Sequence, residues 1–252
     1  MSKGNPQFEY ALRLGDNALV LGQRLSAWIG HAPVLEEEMA TANVALDLIG
    51  QARSWLDLAG EIEGTGRDAD ALAYHRDAWD YRNGLMVELP NGDYALTIVR
   101  QFLFDAFHQP LLEQLTRSSD ERVRNIAVKS LKEVGYHLRR SSEWVIRFGD
   151  GTEESHDRAQ AAVDELWMYT GEFLTPDEVD DALAGSGFGA DLAPVAEAWH
   201  RSVAEVLAQA TLRQPESGWM QSGGKQGRHT EHLGLILAEM QFLPRAYPDA
   251  RW

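Results

Sequence analysis

Hydrophobic and polar residues along the chain follow the pattern of helices rather than strands. No stretch sustains the alternation of β-branched and polar residues that marks a half-buried strand, and no Asn-Gly hairpin joins two such runs. Instead, residues typical of helix ends recur in GHAP (30–33), EGTGRDAD (63–70), PNGD (90–93) and GDG (149–151). The sequence therefore predicts an all-α protein.

The residues typical of helix ends also predict where the helices lie. Ser118 precedes Glu121 by three residues, which is the spacing of a capping box at a helix N-terminus. Thr175, Pro176 and Glu178 have the spacing of an N-cap, an N1 proline and an N3 acid. The predicted helical segments are about 8–29, 34–62, 93–117, 118–149, 155–173, 175–185, 192–213 and 230–246, with a long connection over 63–92.

The lengths and order of these segments predict the architecture. The first four have about 20–30 residues each, or about 30–45 Å of helix. Tight turns join the first to the second and the third to the fourth, and one long crossover separates the two pairs. This is the order of a ferritin-like four-helix bundle, here with additional C-terminal helices. An α-solenoid has no support, because the chain shows no repeat of 34 to 47 residues. We expect a single domain over residues 1–252.

Composition and charge exclude several classes of function. The formal net charge of −16 argues against binding to nucleic acid or to an anionic membrane surface. The absence of cysteine excludes disulfides, thiolate chemistry and iron–sulfur clusters. No apolar run approaches the length of a membrane span, and the N-terminal residues lack the apolar core of a signal peptide. We expect a cytoplasmic protein.

The candidate chemistry lies on the predicted long helices. A di-metal bundle takes one carboxylate from each of two helices and a Glu-x-x-His pair from each of the other two. In KEVGYHLRR, Glu133 and His137 are four residues apart rather than three. In NVALDLIGQAR, the residue three after Asp47 is Gly50 rather than histidine. Neither helix therefore contains the complete pair.

The third long helix carries a literal Asp-x-x-His match. Asp105 in FLFDAFHQP is flanked by phenylalanines, so we expect its side chain to face inward. His108 follows three residues later. Because such short matches occur by chance, we interpret the pair as a core acid and an unrelated imidazole on the helix surface.

Three inward polar groups thus remain, where a di-metal centre needs six ligands. They are Asp47, Asp105 and His137. We favour a buried polar network over a metal site. The partners in such a network would be one another or an arginine, with Arg13, Arg53 and Arg139 as candidates. The alternative is a stand-alone metal-dependent oxidase or hydroxylase that uses the three groups as ligands.

A second candidate is RDAWDYRNG in the long crossover. Its arginines and aromatic residues are typical of an interface hot spot or of a cradle for a phosphate-bearing ligand. A satellite cluster packed under the crossover is an equally good interpretation. The residues concerned are Arg76, Asp80, Tyr81, Arg82 and Asn83.

Two motifs near the C-terminus have simpler interpretations. SGGKQG (222–227) lacks the leading glycine, the following Ser or Thr and the preceding strand of a phosphate-binding loop, so we expect a flexible loop. RHTEH (228–232) places two histidines three residues apart. We expect this cluster to cap the last helix and to bind a neighbouring segment.

Four long blocks of the sequence carry a family resemblance. They are LRLGDNALVLGQRLSAWIGHAP, NVALDLIGQAR, KEVGYHLRR and GGKQGRHTEHLGLILAEMQFL. Together they resemble the PaaC-type structural subunits of bacterial 1,2-phenylacetyl-CoA epoxidases, essentially from end to end. The resemblance implies a ferritin-like helical protein paired with a homologous catalytic subunit. That subunit holds a di-iron centre, activates O2 and epoxidises the aromatic ring of the CoA thioester. A small further subunit and a flavin and iron–sulfur reductase complete the system.

The resemblance also implies which metal ligands of the catalytic homologue this chain has lost. Where the catalytic homologue has KEESFH, this chain has KEVGYH, so its Glu-x-x-His becomes Val134 and His137. Gly50 replaces a histidine, and the glutamate of the first helix falls near Leu21. No metal or catalytic residue is therefore expected here, only a degenerate remnant of the site. The remnant consists of Asp47, Asp105 and His137.

These implications lead to one expected function. We expect a non-catalytic structural subunit of a multicomponent di-iron monooxygenase that acts in aerobic phenylacetate degradation. It would dock on the di-iron catalytic subunit, stabilise it and hold no cofactor of its own. Its partners would be that subunit and the other subunits of the complex. A third interpretation is a contact with phenylacetyl-CoA at an interface, through residues 76–83.

Overall fold

The computed structural model describes residues 4–183, 185–216, 218–248 and 250, and all regular structure among them is helical. The predicted fold class, all-α and ferritin-like, is confirmed. The α-helices are α1 (Pro6–Ser26), α2 (Leu35–Glu63), α3 (Ala69–Tyr74), α4 (Tyr94–Leu115), α5 (Glu121–Gly149), α6 (Glu153–Leu166), α7 (Gly171–Leu174), α8 (Glu178–Leu183), α9 (Leu192–Gln209), α10 (Glu231–Met240) and α11 (Phe242–Ala246).

The chain divides into two compact units. Unit 1 combines the chain up to Pro90 with the chain from Gly223 onward, and it contains α1, α2, α3, α10 and α11. Unit 2 is the continuous stretch Asn91–Ser222, with α4 to α9. Each unit is built on a hairpin of two long helices, α1 with α2 and α4 with α5. The single domain over residues 1–252 stays a prediction.

Two glycines on α1 let the first hairpin pack closely. A Cβ atom on Gly15 would lie 2.7 Å from Cδ2 of Leu56. A Cβ atom on Gly22 would lie 3.1 Å from Cγ1 of Ile49. Because the two glycines are seven residues apart, they lie on the same face of α1, towards α2. The sequence of α1 therefore sets how near α2 can approach.

The capping box predicted for α5 is wrong, because another residue caps this helix. The carboxylate of Asp120 accepts hydrogen bonds from the backbone N–H of Arg122, at 2.8 Å, and of the residue after it. Ser118 is buried, and its hydroxyl donates to the carbonyl oxygens of Gly187 and Phe188. The serine therefore anchors the loop before α9, and its hydroxyl also accepts from the N–H of Asp120 at 3.2 Å, but it does not cap α5.

The start of α8 also differs from the prediction. α8 begins at Glu178, and Asp177 caps it by accepting a hydrogen bond from the N–H of Val179 at 3.0 Å. The predicted cap, Thr175, donates its hydroxyl to the carbonyl oxygen of Gly171 at 2.9 Å. Asp177 can take the capping role because the threonine hydroxyl is engaged by the preceding turn.

Two predicted helices are each divided in the structure. The segment predicted over 155–173 consists of α6, a short 3-10 helix at Trp167–Tyr169 and α7. The segment predicted over 230–246 consists of α10 and α11. SGGKQG includes the 3-10 helix Gly224–Gln226 in the part that belongs to unit 1, where a flexible loop was expected.

A buried carboxylate fastens α10 to the crossover within unit 1. Glu88 is fully buried and accepts hydrogen bonds from Asn83 Nδ2 at 2.8 Å and from the N–H of Thr230 at 2.6 Å. His229 places Nδ1 2.8 Å from the same carboxylate and Nε2 3.1 Å from the carbonyl oxygen of Tyr81. His229 therefore bridges the buried carboxylate and the backbone of the crossover.

The prediction for RHTEH is therefore confirmed. The hydroxyl of Thr230 caps α10 by accepting from the N–H of His232, and His229 binds the neighbouring crossover. Glu88 itself was missed. Its signal was a lone acid within the apolar run LMVELP.

None of the helices in the described ranges is both long enough and apolar enough to span a bilayer.

The Glu88 contacts generate a prediction about stability. Replacing Glu88 by alanine leaves the buried ring of His229 and two further donors without their acceptor, so Glu88→Ala should lower the free energy of unfolding by about 3–5 kcal/mol. Urea unfolding monitored by circular dichroism at pH 7 measures this. Glu154→Ala is the control, because Glu154 forms an exposed pair with Arg158 and its loss should cost less than about 1 kcal/mol. Equal losses in the two variants would contradict the proposed pairing.

Candidate functional site

The acid in the core of unit 2 is held by neutral hydrogen-bond donors. Asp105 lies in the middle of α4 and is fully buried. Its Oδ1 accepts from Gln101 Nε2 at 2.7 Å, and its Oδ2 accepts from the hydroxyl of Ser141 at 2.9 Å. Gln101 precedes Asp105 by one helical turn, and Ser141 lies one turn after His137 on α5. Both carboxylate oxygens are thus already engaged by protein side chains.

Two histidines accompany this acid in the core. His137 is 1% exposed and His108 is 4% exposed. The ring of His108 packs 5.0 Å from that of Phe104, and its Nδ1 has no hydrogen-bond partner among the residues that the structure describes. The expectation of a helix-surface imidazole at His108 is wrong. The reason is that α5, α6 and α9 pack around α4, which leaves this position no solvent.

Burial dominates the ionisation of the cluster. It raises the pKa of Asp105 from 3.8 to about 6, although His137 and the hydrogen bonds from Ser141 and Gln101 act in the opposite direction. Burial, followed by the nearby charge of His137, lowers the pKa of His108 to about 3. His108 is therefore neutral at physiological pH, and Asp105 changes protonation just below it.

The three arginines proposed as partners in the buried polar network occupy other positions. Arg53 is exposed and lies 3.9 Å from Asp57 on its own helix. Arg139 is exposed and stacks over the ring of Tyr136. The arginine whose positive charge lowers the pKa of Asp105 is Arg140. Arg13 is buried in unit 1.

The other positions of the expected remnant offer little to a metal ion. Asp47 is only half-buried on α2 in unit 1, and Gly50 is exposed. Leu21 and Val134 are fully buried and apolar. Glu133 is half-buried, beside Val134 on α5. The structure thus brings Asp105 and His137 together within unit 2, and it adds His108, Gln101 and Ser141.

The described residues do not fit a di-iron centre. Among them, no group of three or more His, Asp or Glu side chains is placed to hold a metal ion. Asp105 has both oxygens engaged, and Val134 provides no ligand next to His137. Since Asp105, His108 and His137 are all at most 4% exposed, the cluster is also closed to a substrate.

The segment 76–83 is buried within unit 1 at Arg76, Tyr81 and Asn83 and is exposed or half-buried at its other residues. Arg76 and Asp16 form a buried ion pair, and the guanidinium lies 4.3 Å from the ring centroid of Tyr81. Arg82 binds Glu9 at 2.8 Å through a partly exposed contact. Burial would lower the pKa of Arg76, but the charge and hydrogen bonds of Asp16 outweigh it and raise that pKa.

Three further residues of this segment differ in their exposure. Asn83 is buried on Glu88, whereas Asp80 is exposed, as is Trp79, at 75%. A contact of the segment with substrate or a partner stays a prediction, and only its exposed part is open to one in the isolated chain.

The raised pKa of Asp105 predicts a pH-dependent stability. Between about pH 4 and 6 the folded state holds a proton that the unfolded state has lost, so Asp105 adds stability at low pH and loses it as the pH rises through 6. The unfolding free energy of the wild type minus that of Asp105→Asn should therefore fall by about 1.4 kcal/mol from pH 5 to pH 8. Urea titrations at both pH values measure it.

Asp47→Asn is the matched control, because it removes the same charge from a half-buried position. A pH dependence that is identical in the two variants, or a difference for Asp105→Asn that does not change with pH, would refute the assignment.

Comparisons with known proteins agree with the resemblance drawn from the four sequence blocks, which is confirmed. The family described as "Phenylacetic acid catabolic protein" matches residues 2–252. One subunit of the 1,2-phenylacetyl-CoA epoxidase of Escherichia coli (strain K12) is 47% identical over 243 residues, which cover 96% of this chain and 98% of that protein. With this extent of match, the chain belongs to the phenylacetic acid catabolic protein family.

Proposed function

We propose that this chain is the non-catalytic structural subunit of a multicomponent epoxidase that acts on phenylacetyl-CoA. In this role it docks on the homologous di-iron catalytic subunit and stabilises it. The observation that carries the proposal is the combination of the family relationship with a core whose one buried carboxylate on α4 is satisfied by Gln101 and Ser141. The relative is itself one subunit of an epoxidase, which supports a role within a complex.

The core of unit 2 suits a supporting subunit because it needs no metal ion to be stable. Isolated buried charges are costly, and a carboxylate without its cations would normally destabilise a helical core. Here two neutral donors replace the cations, and the raised pKa lets Asp105 take up a proton near pH 6. The chain can therefore fold before, and independently of, any metal loading in its partner.

Exposed apolar side chains on α2 support the docking role. Leu35, Met39 and Leu46 are 69%, 60% and 66% exposed, and their spacing of four and seven residues places them on one face of the helix. Soluble monomers rarely expose such a row, and larger exposed patches mark contact sites. A partner that covers this face would gain free energy from removing it from water.

A structural subunit can affect chemistry that it does not perform. Metal ligands and substrate must be held within about 0.5 Å of the productive geometry, so a rigid neighbour that fixes the helices of the catalytic subunit preserves its activity. Binding to the folded form alone also stabilises that form by mass action.

The alternative function, a stand-alone oxidase or hydroxylase with Asp47, Asp105 and His137 as ligands, has less support. Both oxygens of Asp105 already accept hydrogen bonds from protein side chains, and Asp47 is half-exposed in unit 1, whereas Asp105 and His137 belong to unit 2. Contact with phenylacetyl-CoA is retained as a proposal for the exposed part of segment 76–83, around Asp80 and Arg82.

The docking proposal predicts that the catalytic subunit depends on this chain. We expect co-production to raise the yield of soluble catalytic subunit and its iron content severalfold over production alone, because binding removes exposed apolar surface and stabilises the folded form. Gel filtration, iron analysis and turnover of phenylacetyl-CoA measure this. Equal solubility, iron loading and turnover with and without the chain would rule out the supporting role.

The proposed absence of a metal centre predicts the metal content of the purified chain. Elemental analysis after gel filtration should give well below one iron per chain, and Asp105→Ala and His137→Ala should not change it. Two tightly bound irons that the Asp105→Ala variant loses, or substrate oxidation by the chain alone, would instead establish the stand-alone enzyme.

A further inference from the structure

One face of α5 carries a row of basic and aromatic side chains. At 100° per residue, Lys129, Lys132, Tyr136, Arg139 and Arg147 fall within a sector of about 80°. The four cations are exposed, and Tyr136 is 39% exposed. From the first cation to the last, the row extends about 27 Å along the helix. We call these five residues the α5 basic face.

Within the part of the chain that the structure describes, the cations of this face form no ion pair, unlike many other exposed cations. Arg53, Arg67, Arg158, Arg213 and Arg245 each lie within ion-pair distance of a carboxylate. By contrast, within the described ranges, neither lysine of the α5 basic face has a hydrogen bond or an ion pair, and its two arginines only stack on aromatic rings. Their charges therefore remain available to a partner.

The charge of α5 is opposite to that of the whole chain. The helix contains seven basic and three acidic residues, whereas the chain has a formal net charge of −16. One of those acids, Glu143, lies within the row. A local positive field on an otherwise negative protein orients an incoming anionic surface and accelerates its association.

The composition of the face points to a protein partner. Arginine and tyrosine are enriched among the residues that dominate binding energy at protein interfaces, and Arg139 is already ordered over the ring of Tyr136. Val128, 49% exposed at the edge of the row, adds apolar area. A convex row about 27 Å long exceeds what one small ligand contacts, since small ligands bind in concave sites.

Two other occupants fit the charges less well. Nucleic acid would be repelled by a chain of net charge −16. A second copy that paired the same face across a two-fold axis would bring cations against cations, because such an interface is formed by the same patch on both subunits. The acidic face of a different protein matches the row in both sign and extent.

We propose that the α5 basic face binds the acidic surface of a second protein component of the complex, in a transient, salt-sensitive contact. This rests on the proposed function, because the partner is sought among the other subunits of the epoxidase. Polar, charged contacts are typical of transient encounters, whereas lasting subunit interfaces are more hydrophobic, as the exposed row on α2 would provide.

The test measures how each other subunit of the epoxidase binds to the immobilised chain by biolayer interferometry, in 50 mM and 300 mM NaCl. The variant Lys129→Gln/Lys132→Gln/Arg139→Gln should weaken the binding of one acidic subunit at least 10-fold at low salt, mainly through slower association. It should also remove most of the salt dependence that the wild type shows.

The matched control is Arg67→Gln/Arg158→Gln/Arg213→Gln, which removes three exposed cations that already have acidic neighbours. Binding of every subunit should stay within 2-fold of the wild type. Circular dichroism melting curves establish that both variants are folded. Equal weakening by the two variants would show a general charge effect and overturn the proposal.

The remaining outcomes separate this proposal from the proposed function. If the catalytic subunit binds but no subunit is weakened by the α5 variant, the proposal fails and the supporting role stands. If 1 mM coenzyme A binds the wild type and not the α5 variant, the face serves a small anion and the proposal fails. If no subunit binds the wild type at all, the proposed function fails with it.

Discussion

A carboxyl group inside a helical core must be matched by cations or by hydrogen-bond donors, because leaving it unmatched costs several kcal/mol. Asp105 places this requirement at the centre of unit 2. The structure meets it with an amide from the preceding turn of α4 and a hydroxyl from α5. Val134 and His108 are also buried in this unit, and the cluster is nearly closed to solvent.

The same requirement appears in unit 1 and is met by charge pairing. Asp16 lies against Arg76, and Glu88 lies against His229, with nearly complete burial of all four side chains. A buried pair of this kind is weak evidence for added stability. It does require a specific geometry, because removing one partner leaves the other buried without a counterpart. They therefore specify how the crossover and the C-terminal helices attach to the first hairpin.

The residues typical of helix ends predicted the fold well, because glycines, prolines and short polar residues start or end a helix through contacts close in sequence. The glycine at position 64 ends α2 with a left-handed backbone, close to the predicted boundary. Where two candidate capping residues are close in sequence, the local sequence did not show which of them caps the helix. Asp120 took the role expected of Ser118, since the serine hydroxyl was engaged by a loop about 70 residues away. Such long-range competition leaves no local signal.

The candidate site was predictable only in part, for the same reason. The phenylalanines around Asp105 indicated its burial correctly. The position of His108 depended on α6 and α9, whose packing against α4 the pattern of α4 alone does not reveal. Gln101 and Ser141 were missed because neutral side chains one turn away resemble ordinary helix residues. Glu88 was identifiable as a lone acid in an apolar run, but its partners lie about 140 residues further along the chain.

That separation has a consequence for how the protein is made. Unit 2 is one continuous stretch, whereas unit 1 combines a stretch that precedes unit 2 with a stretch that follows it. A ribosome that adds about 5–20 residues per second needs about 7–28 s to proceed from Glu88 to Thr230. During that interval the nascent crossover carries a carboxylate whose histidine has not yet been synthesised. Unit 1 can thus be completed only after all of unit 2 has been synthesised.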